Sequence, residues 1–100
     1  MDNRTRNASV QVLPLTKDAI PVVDKAIRVI QESGVRYEVG PLETTLEGDD
    51  LDELLEVAKA AHRACFDGDV ETVVTVIKIA DSVKGTTIDG KTSKYRGNAK

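Results

Sequence analysis

In the segment Val35-Arg36-Tyr37-Glu38-Val39-Gly40-Pro41-Leu42-Glu43-Thr44-Thr45-Leu46-Glu47-Gly48, two alternating runs flank a break. Val35, Tyr37 and Val39 fall on one face of the first run, with Arg36 and Glu38 on the other. Leu42, Thr44 and Leu46 alternate against Glu43, Thr45 and Glu47 in the second. Gly40-Pro41 between them supplies turn chemistry and removes a ladder donor, so the pair reads as an antiparallel hairpin or a bulged, bent pair of strands.

Helical patterns lie on either side. Upstream, Val22, Val23, Ala26, Ile27 and Ile30 recur at helical spacing, with Asp24, Lys25, Arg28 and Gln31 facing water. Thr16 or Asp18 is placed to cap this helix, Pro21 is tolerated in its first turn, and Gly34 stops it. Downstream, Gly48-Asp49-Asp50 turns the chain and offers Asp49 or Asp50 as a cap, with Asp52 and Glu53 where the helix dipole favours acids. The second helical stripe is Leu51, Leu54, Leu55, Ala58, Ala61 or His62, and Cys65, ended by Asp67-Gly68-Asp69.

Two further strands complete the order. Ala8 to Pro14 alternates Ala8, Val10 and Val12 against Ser9, Gln11 and Leu13, and Pro14 ends it. Val70 to Ala80 is rich in β-branched residues on both faces, which suits a strand covered on both sides. The sequence β-α-β-β-α-β predicts an α+β, ferredoxin-like sandwich: a four-stranded antiparallel sheet with both helices on one face. A second subunit on the open face explains the two-sided last strand. The domain spans residues 1–83. Residues 84–100 read as a polar C-terminal tail in which only Ile88 and Tyr95 offer anchors, either mobile or an arm on a neighbouring subunit.

One hundred residues with 40% hydrophobic and 31% charged side chains fit one domain. The aromatics are Tyr37, Phe66 and Tyr95, so the core rests on Val, Ile, Leu and Ala, and oligomerisation would add burial. A formal charge of −3, from 14 basic and 17 acidic residues, argues against nucleic acid as a partner. The single Cys65 excludes an intrachain disulfide and a multi-cysteine metal site, and its place on an apolar stripe reads as a buried structural thiol. No run approaches the roughly 20 apolar residues that span a bilayer. The N-terminus shows no signal core, and a cytoplasmic, membrane-free setting is expected.

Catalytic signatures are missing from the pattern. The seven glycines are scattered, with none forming a phosphate cradle, and no Ser sits in a nucleophile elbow. His62 and Cys65 are helix neighbours three apart, read as a boundary histidine and a core thiol. Glu43, Glu47, Asp49 and Asp50 cluster before the second helix, either as caps and a solvated strand face or as partners for a cationic ligand. Thr44 and Thr75 sit where alternation calls for apolar, helix-facing side chains. With Tyr37 on a neighbouring strand, they offer the few polar contacts of a mostly apolar pocket. Lys78 points the opposite way from Thr75, and Glu43 or Glu47 is its candidate partner.

Several segments occur together in order: Val12-Leu13-Pro14-Leu15-Thr16, Glu32-Ser33-Gly34-Val35-Arg36-Tyr37-Glu38-Val39, Pro41-Leu42-Glu43-Thr44-Thr45-Leu46-Glu47-Gly48, Ala61-His62 and Val76-Ile77-Lys78-Ile79. Over about residues 8–82 they resemble the small thiamine-binding protein family (YkoF-like). The resemblance implies subunits that pair edge to edge and then stack sheet on sheet, a homotetramer built as a dimer of dimers. It also implies binding of thiamine or a hydroxymethylpyrimidine-like moiety without turnover, and no cofactor. By position, the Thr and Glu of the family's third strand map onto Thr44 and Glu47, its His onto His62 and its Lys onto Lys78. The expected ligand contacts are therefore Tyr37, Thr44, Glu47, Thr75 and His62, with no catalytic or metal-ligating residue. Glu43, Val22 and Thr16 depart from the family's usual Gly, aromatic and Gly, which alters the shape of the pocket. The alternatives are a structural or regulatory oligomeric module with no ligand and, on a fold that also hosts enzymes, small-molecule catalysis.

Overall fold

The computed structural model describes residues 4–96. In chain order these form β1 (Arg6–Pro14), α1 (Ala19–Glu32), β2 (Arg36–Val39), β3 (Thr44–Gly48), α2 (Leu51–Ala64), β4 (Val73–Ala80) and α3 (Ile88–Arg96). The sheet runs β2-β3-β1-β4 and every neighbouring pair is antiparallel. This is the expected ferredoxin-like α+β arrangement, with α1 and α2 packed on one face.

Local chemistry accounts for the boundaries. Asp50 caps α2, its Oδ1 accepting from the backbone N–H of Asp52 at 3.0 Å and of Glu53 at 3.3 Å. Asp18 occupies the cap position of α1 without a side-chain hydrogen bond, so Pro21 in the first turn is the stronger start signal there. Gly34, at φ +86°, leaves α1 in the left-handed region that a side chain would resist. At Gly40 the constraint is space: a Cβ there would stand 2.9 Å from the Glu43 carbonyl oxygen, which accepts from the Gly40 N–H across the turn. That turn absorbs Leu42 and Glu43, so β3 begins at Thr44. The strand segments expected from Leu42 and Val70 start later than their apolar patterns do.

The core lies between helices and sheet. Ala8 and Val10 of β1 and Leu46 of β3 meet Val22, Ala26 and Ile30 of α1 and Leu54, Ala58, Ala61 and Cys65 of α2. Alanines at three of these helix positions let the helices approach the sheet closely. The largest fully buried side chains are Ile30, Leu46, Leu54 and Cys65, which is a thin core for one hundred residues.

Pairing assigns the faces. Thr75, Ile77 and Ile79 lie opposite Val12, Val10 and Ala8 and so face the helices, while Val74, Val76 and Lys78 share the open face with Leu13, Gln11 and Ser9. As an edge strand, β4 is only partly covered on the helix side, and Ile77 and Ile79 remain exposed. On the open face Leu13, Val74 and Val76 are 40%, 46% and 41% exposed.

The segment after Lys84, expected as a polar tail, folds back onto that open face. Gly85, at φ +88°, reverses the chain, and the Thr86 N–H donates to the Thr5 carbonyl at 2.8 Å. Ile88 is 3% exposed and opens α3, whereas Tyr95, the other expected anchor, is exposed. Tertiary contacts hold α3, because its own sequence has little apolar periodicity.

Candidate functional site

Among the described residues, each face of the sheet carries a hollow. On the helix side a cavity of about 110 Å³ lies between α1 and the β2–β3 turn, lined by Val10, Val12, Ile30, Leu42, Thr44 and Ala61 among others. Thr44 is buried in its wall. Its volume is below the roughly 300–1,000 Å³ of small-molecule sites. On the open face a cleft of about 440 Å³ lies between the sheet and α3, a volume within that range.

The five expected contacts are divided between the faces. Tyr37, Thr44, Thr75 and His62 belong to the helix side. His62 Nδ1 and Thr75 Oγ1 are 2.6 Å apart and satisfy one another, and Phe66 stands edge-on to the imidazole at 5.4 Å between ring centres. Tyr37 lies opposite Leu46 and is about one-third exposed. Glu47 lies opposite Asn7 and Arg36, on the open face. Thr44 and Glu47, three apart on one strand, therefore point to opposite sides of the sheet.

Glu47 works on the roof of the open-face cleft. Its Oε1 accepts from the Ile88 N–H at 2.6 Å, and its Oε2 accepts from Arg36 Nη1 at 3.0 Å. Arg36 reaches on to Asp89 at 3.1 Å, and Arg96 pairs with Glu38 at 3.3 Å. Hydrogen bonding to Arg36, reinforced by Arg96, holds the Asp89 carboxyl below its ordinary range. Three ties from β2 and β3 thus fix α3 over the sheet.

The cleft's floor is polar. Asn7 and Ser9 of β1 are 3% and 8% exposed, yet Asn7 Nδ2, Asn7 Oδ1 and Ser9 Oγ have no hydrogen-bond partner among the described residues. Buried polar atoms of this kind are rare, and they give the cleft floor hydrogen-bonding capacity that the protein itself does not use. Thr45 adds a hydroxyl, and Glu38, Glu43, Lys78 and Lys91 line the cleft. Lys78 Nζ lies 3.0 Å from Glu43, one of the two partners anticipated for it, while Glu47 is taken up by Arg36 and Ile88. Asn7 falls outside the strand expected from Ala8 onward. Extending the alternation of Ser9, Gln11 and Leu13 back by one step would have found it.

The one cysteine belongs to the core rather than to either hollow. Cys65 is fully buried, its Sγ donates to the Ala61 carbonyl at 3.5 Å, and burial pushes the thiol's pKa up, away from the reactive thiolate. Among the described residues no group of three or more His, Cys, Asp or Glu side chains could hold a metal ion. No helix among them is long and apolar enough to cross a membrane.

The fold and the roofed, polar-floored cleft define a ferredoxin-like α+β domain with a ligand-sized hollow on its open sheet face. The chain belongs to the thiamine-binding protein family, whose model matches residues 8–96, α3 included. It is 43% identical over 94 residues to a UPF0045 protein of Clostridium perfringens, covering 92% of this chain and 98% of that one. Among solved structures, a domain of unknown function from Bacillus cereus superposes with a TM-score of 0.84 at 54% identity, covering 94% and 92% of the two chains. A Thermotoga maritima protein proposed to act in thiamine biosynthesis or salvage superposes with a TM-score of 0.82 at 34% identity, covering 92% and 99%.

Proposed function

We propose that this protein binds thiamine or a related aminopyrimidine, without turning it over, in the cleft between the open sheet face and α3. The observation that carries the reading is the family match running through α3, the element that roofs a cleft of ligand size. Of the residues expected as contacts, Glu47 serves this cleft by holding its roof. Thr44, Tyr37 and the His62–Thr75 pair support the sheet from the helix side.

The reading includes a homotetramer in the cytoplasm. The part of the open face not covered by α3 presents Leu13, Val74 and Val76, an apolar strip suited to a second sheet. A lone, buried cysteine suits a reducing compartment.

Titration calorimetry of the full chain with thiamine and with hydroxymethylpyrimidine tests the function. Saturable heat, with the ligand recovered unchanged after prolonged incubation, is the expected outcome. Neither heat nor a thermal shift at millimolar ligand would remove the proposal, and conversion of the ligand would remove its non-catalytic part.

A further inference from the structure

The unpartnered atoms on the cleft floor have a definite chemistry. An asparagine amide carries an acceptor oxygen beside two N–H donors in one plane. That edge is complementary to an amino group next to a ring nitrogen, the same pairing by which Asn reads adenine. Asn7 presents such an edge with both of its polar ends unused. Ser9 follows two positions along on the same face, about 7 Å away by strand geometry. Its hydroxyl, also unused, can donate or accept.

From this we infer that Asn7, seconded by Ser9, is the specificity-determining residue of the cleft, reading the amino-nitrogen edge of an aminopyrimidine. The inference rests on the thiamine-type reading above and adds which edge of the ligand is recognised, and by what. Asn7 Oδ1 accepts from the exocyclic amine while Nδ2 donates to the adjacent ring nitrogen. Burying an amide without a partner is costly, so a ligand that pairs both ends of Asn7 is favoured over one that pairs neither. A pyrimidine without the amino group leaves Oδ1 unpaired and is rejected. Because each of these atoms exposes less than 1 Å² of surface, seating a ring against them requires α3 to shift. The ties through Glu47, Arg36 and Arg96 are the contacts that yield.

The test compares hydroxymethylpyrimidine with its analogue lacking the ring amino group, by calorimetry, on the wild-type chain and on Asn7→Leu and Asn7→Asp. The wild type is expected to prefer the aminated ring by roughly 10-fold or more, the discrimination typical of a bidentate pair. Asn7→Leu is expected to lose that preference and, unliganded, to melt no lower than the wild type. Asn7→Asp, whose carboxylate still accepts from the ring amine, is expected to keep the preference. A wild type that binds thiamine but does not discriminate between the two pyrimidines overturns the inference and leaves the broader reading standing. So does an Asn7→Leu variant that keeps the preference, or an Asn7→Asp variant that folds and loses it. A wild type that binds neither thiamine nor pyrimidine removes both. Asn7→Asp preserves shape, and the wild-type comparison needs no variant at all, so misfolding of Asn7→Leu does not blunt the test.

Discussion

Glu47 Oε1 accepts the backbone N–H of Ile88 at 2.6 Å, so a strand carboxylate caps a helix that begins 41 residues later. The first N–H groups of any helix lack internal partners, and here the partner is supplied by the sheet. The same carboxylate is held from the other side by Arg36. One largely buried side chain therefore joins β2, β3 and α3.

Replacing it should loosen the roof. Glu47→Ala is expected to cost about 1–3 kcal/mol, the range for losing a charge-assisted hydrogen bond, as read by urea denaturation. Amides of Ile88–Arg96 should exchange faster by hydrogen–deuterium exchange, while those of β1 keep their protection. Glu47→Gln, which keeps an acceptor but loses the charge facing Arg36, should fall between the two. Unchanged exchange in α3 would show that other contacts hold it.

A thin core makes each large residue matter. Leu46 is fully buried in the core, so Leu46→Ala should lower stability by about 2–5 kcal/mol in chemical unfolding. A smaller loss would mean that the neighbouring cavity beside Thr44 collapses to fill the space.

Acid should act through Asp81. Arg4 donates to it at 2.8 and 3.1 Å and Arg6 at 3.1 Å, fastening the end of β4 to the chain entering β1. Hydrogen bonding to Arg4, with Arg6 adding to it against some desolvation, holds the carboxyl at about 2 rather than 3.8. Its contribution is therefore complete above pH 3.8 and is lost as pH falls toward about 2. The wild type should exceed Asp81→Asn in urea midpoint by a small, constant margin above that window, because the pair is solvent-accessible. The margin should vanish at its lower end, and one that persists there would contradict the assignment.

The apolar strip of the open face should govern assembly. Val76→Lys places an ammonium beside Leu13 and Val74, and light scattering is expected to show a smaller species than the wild type. The far-UV circular dichroism should not change, since Val76 is 41% exposed within a single chain. A wild type that is monomeric at micromolar concentration would remove the stacking proposal.

Much of the fold was legible because its signals are local. The Gly40-Pro41 break, the Asp50 cap and the β-branched run around Val74–Ile79 each act within a few residues, and each marks an element correctly. The site was less legible because its determinants are distant in sequence. Nothing near Ile88 shows that Glu47 will meet its N–H, so α3 reads as a tail. Strand parity already puts Thr44 and Glu47 on opposite faces. What parity cannot say is which face acquires a roof, and that decides whether Asn7 and Ser9 are solvated side chains or the floor of a cleft.

The cleft also joins elements far apart in sequence, its floor from β1 and its roof from α3, with Thr5 and Thr86 joined by a backbone hydrogen bond. On the ribosome the floor is made first and the roof last. Until α3 emerges from the exit tunnel, the nascent domain has the elements of its core but not the roof of the cleft. The helices and sheet that form the core therefore precede the roof in synthesis, and the cleft is complete only once α3 has emerged.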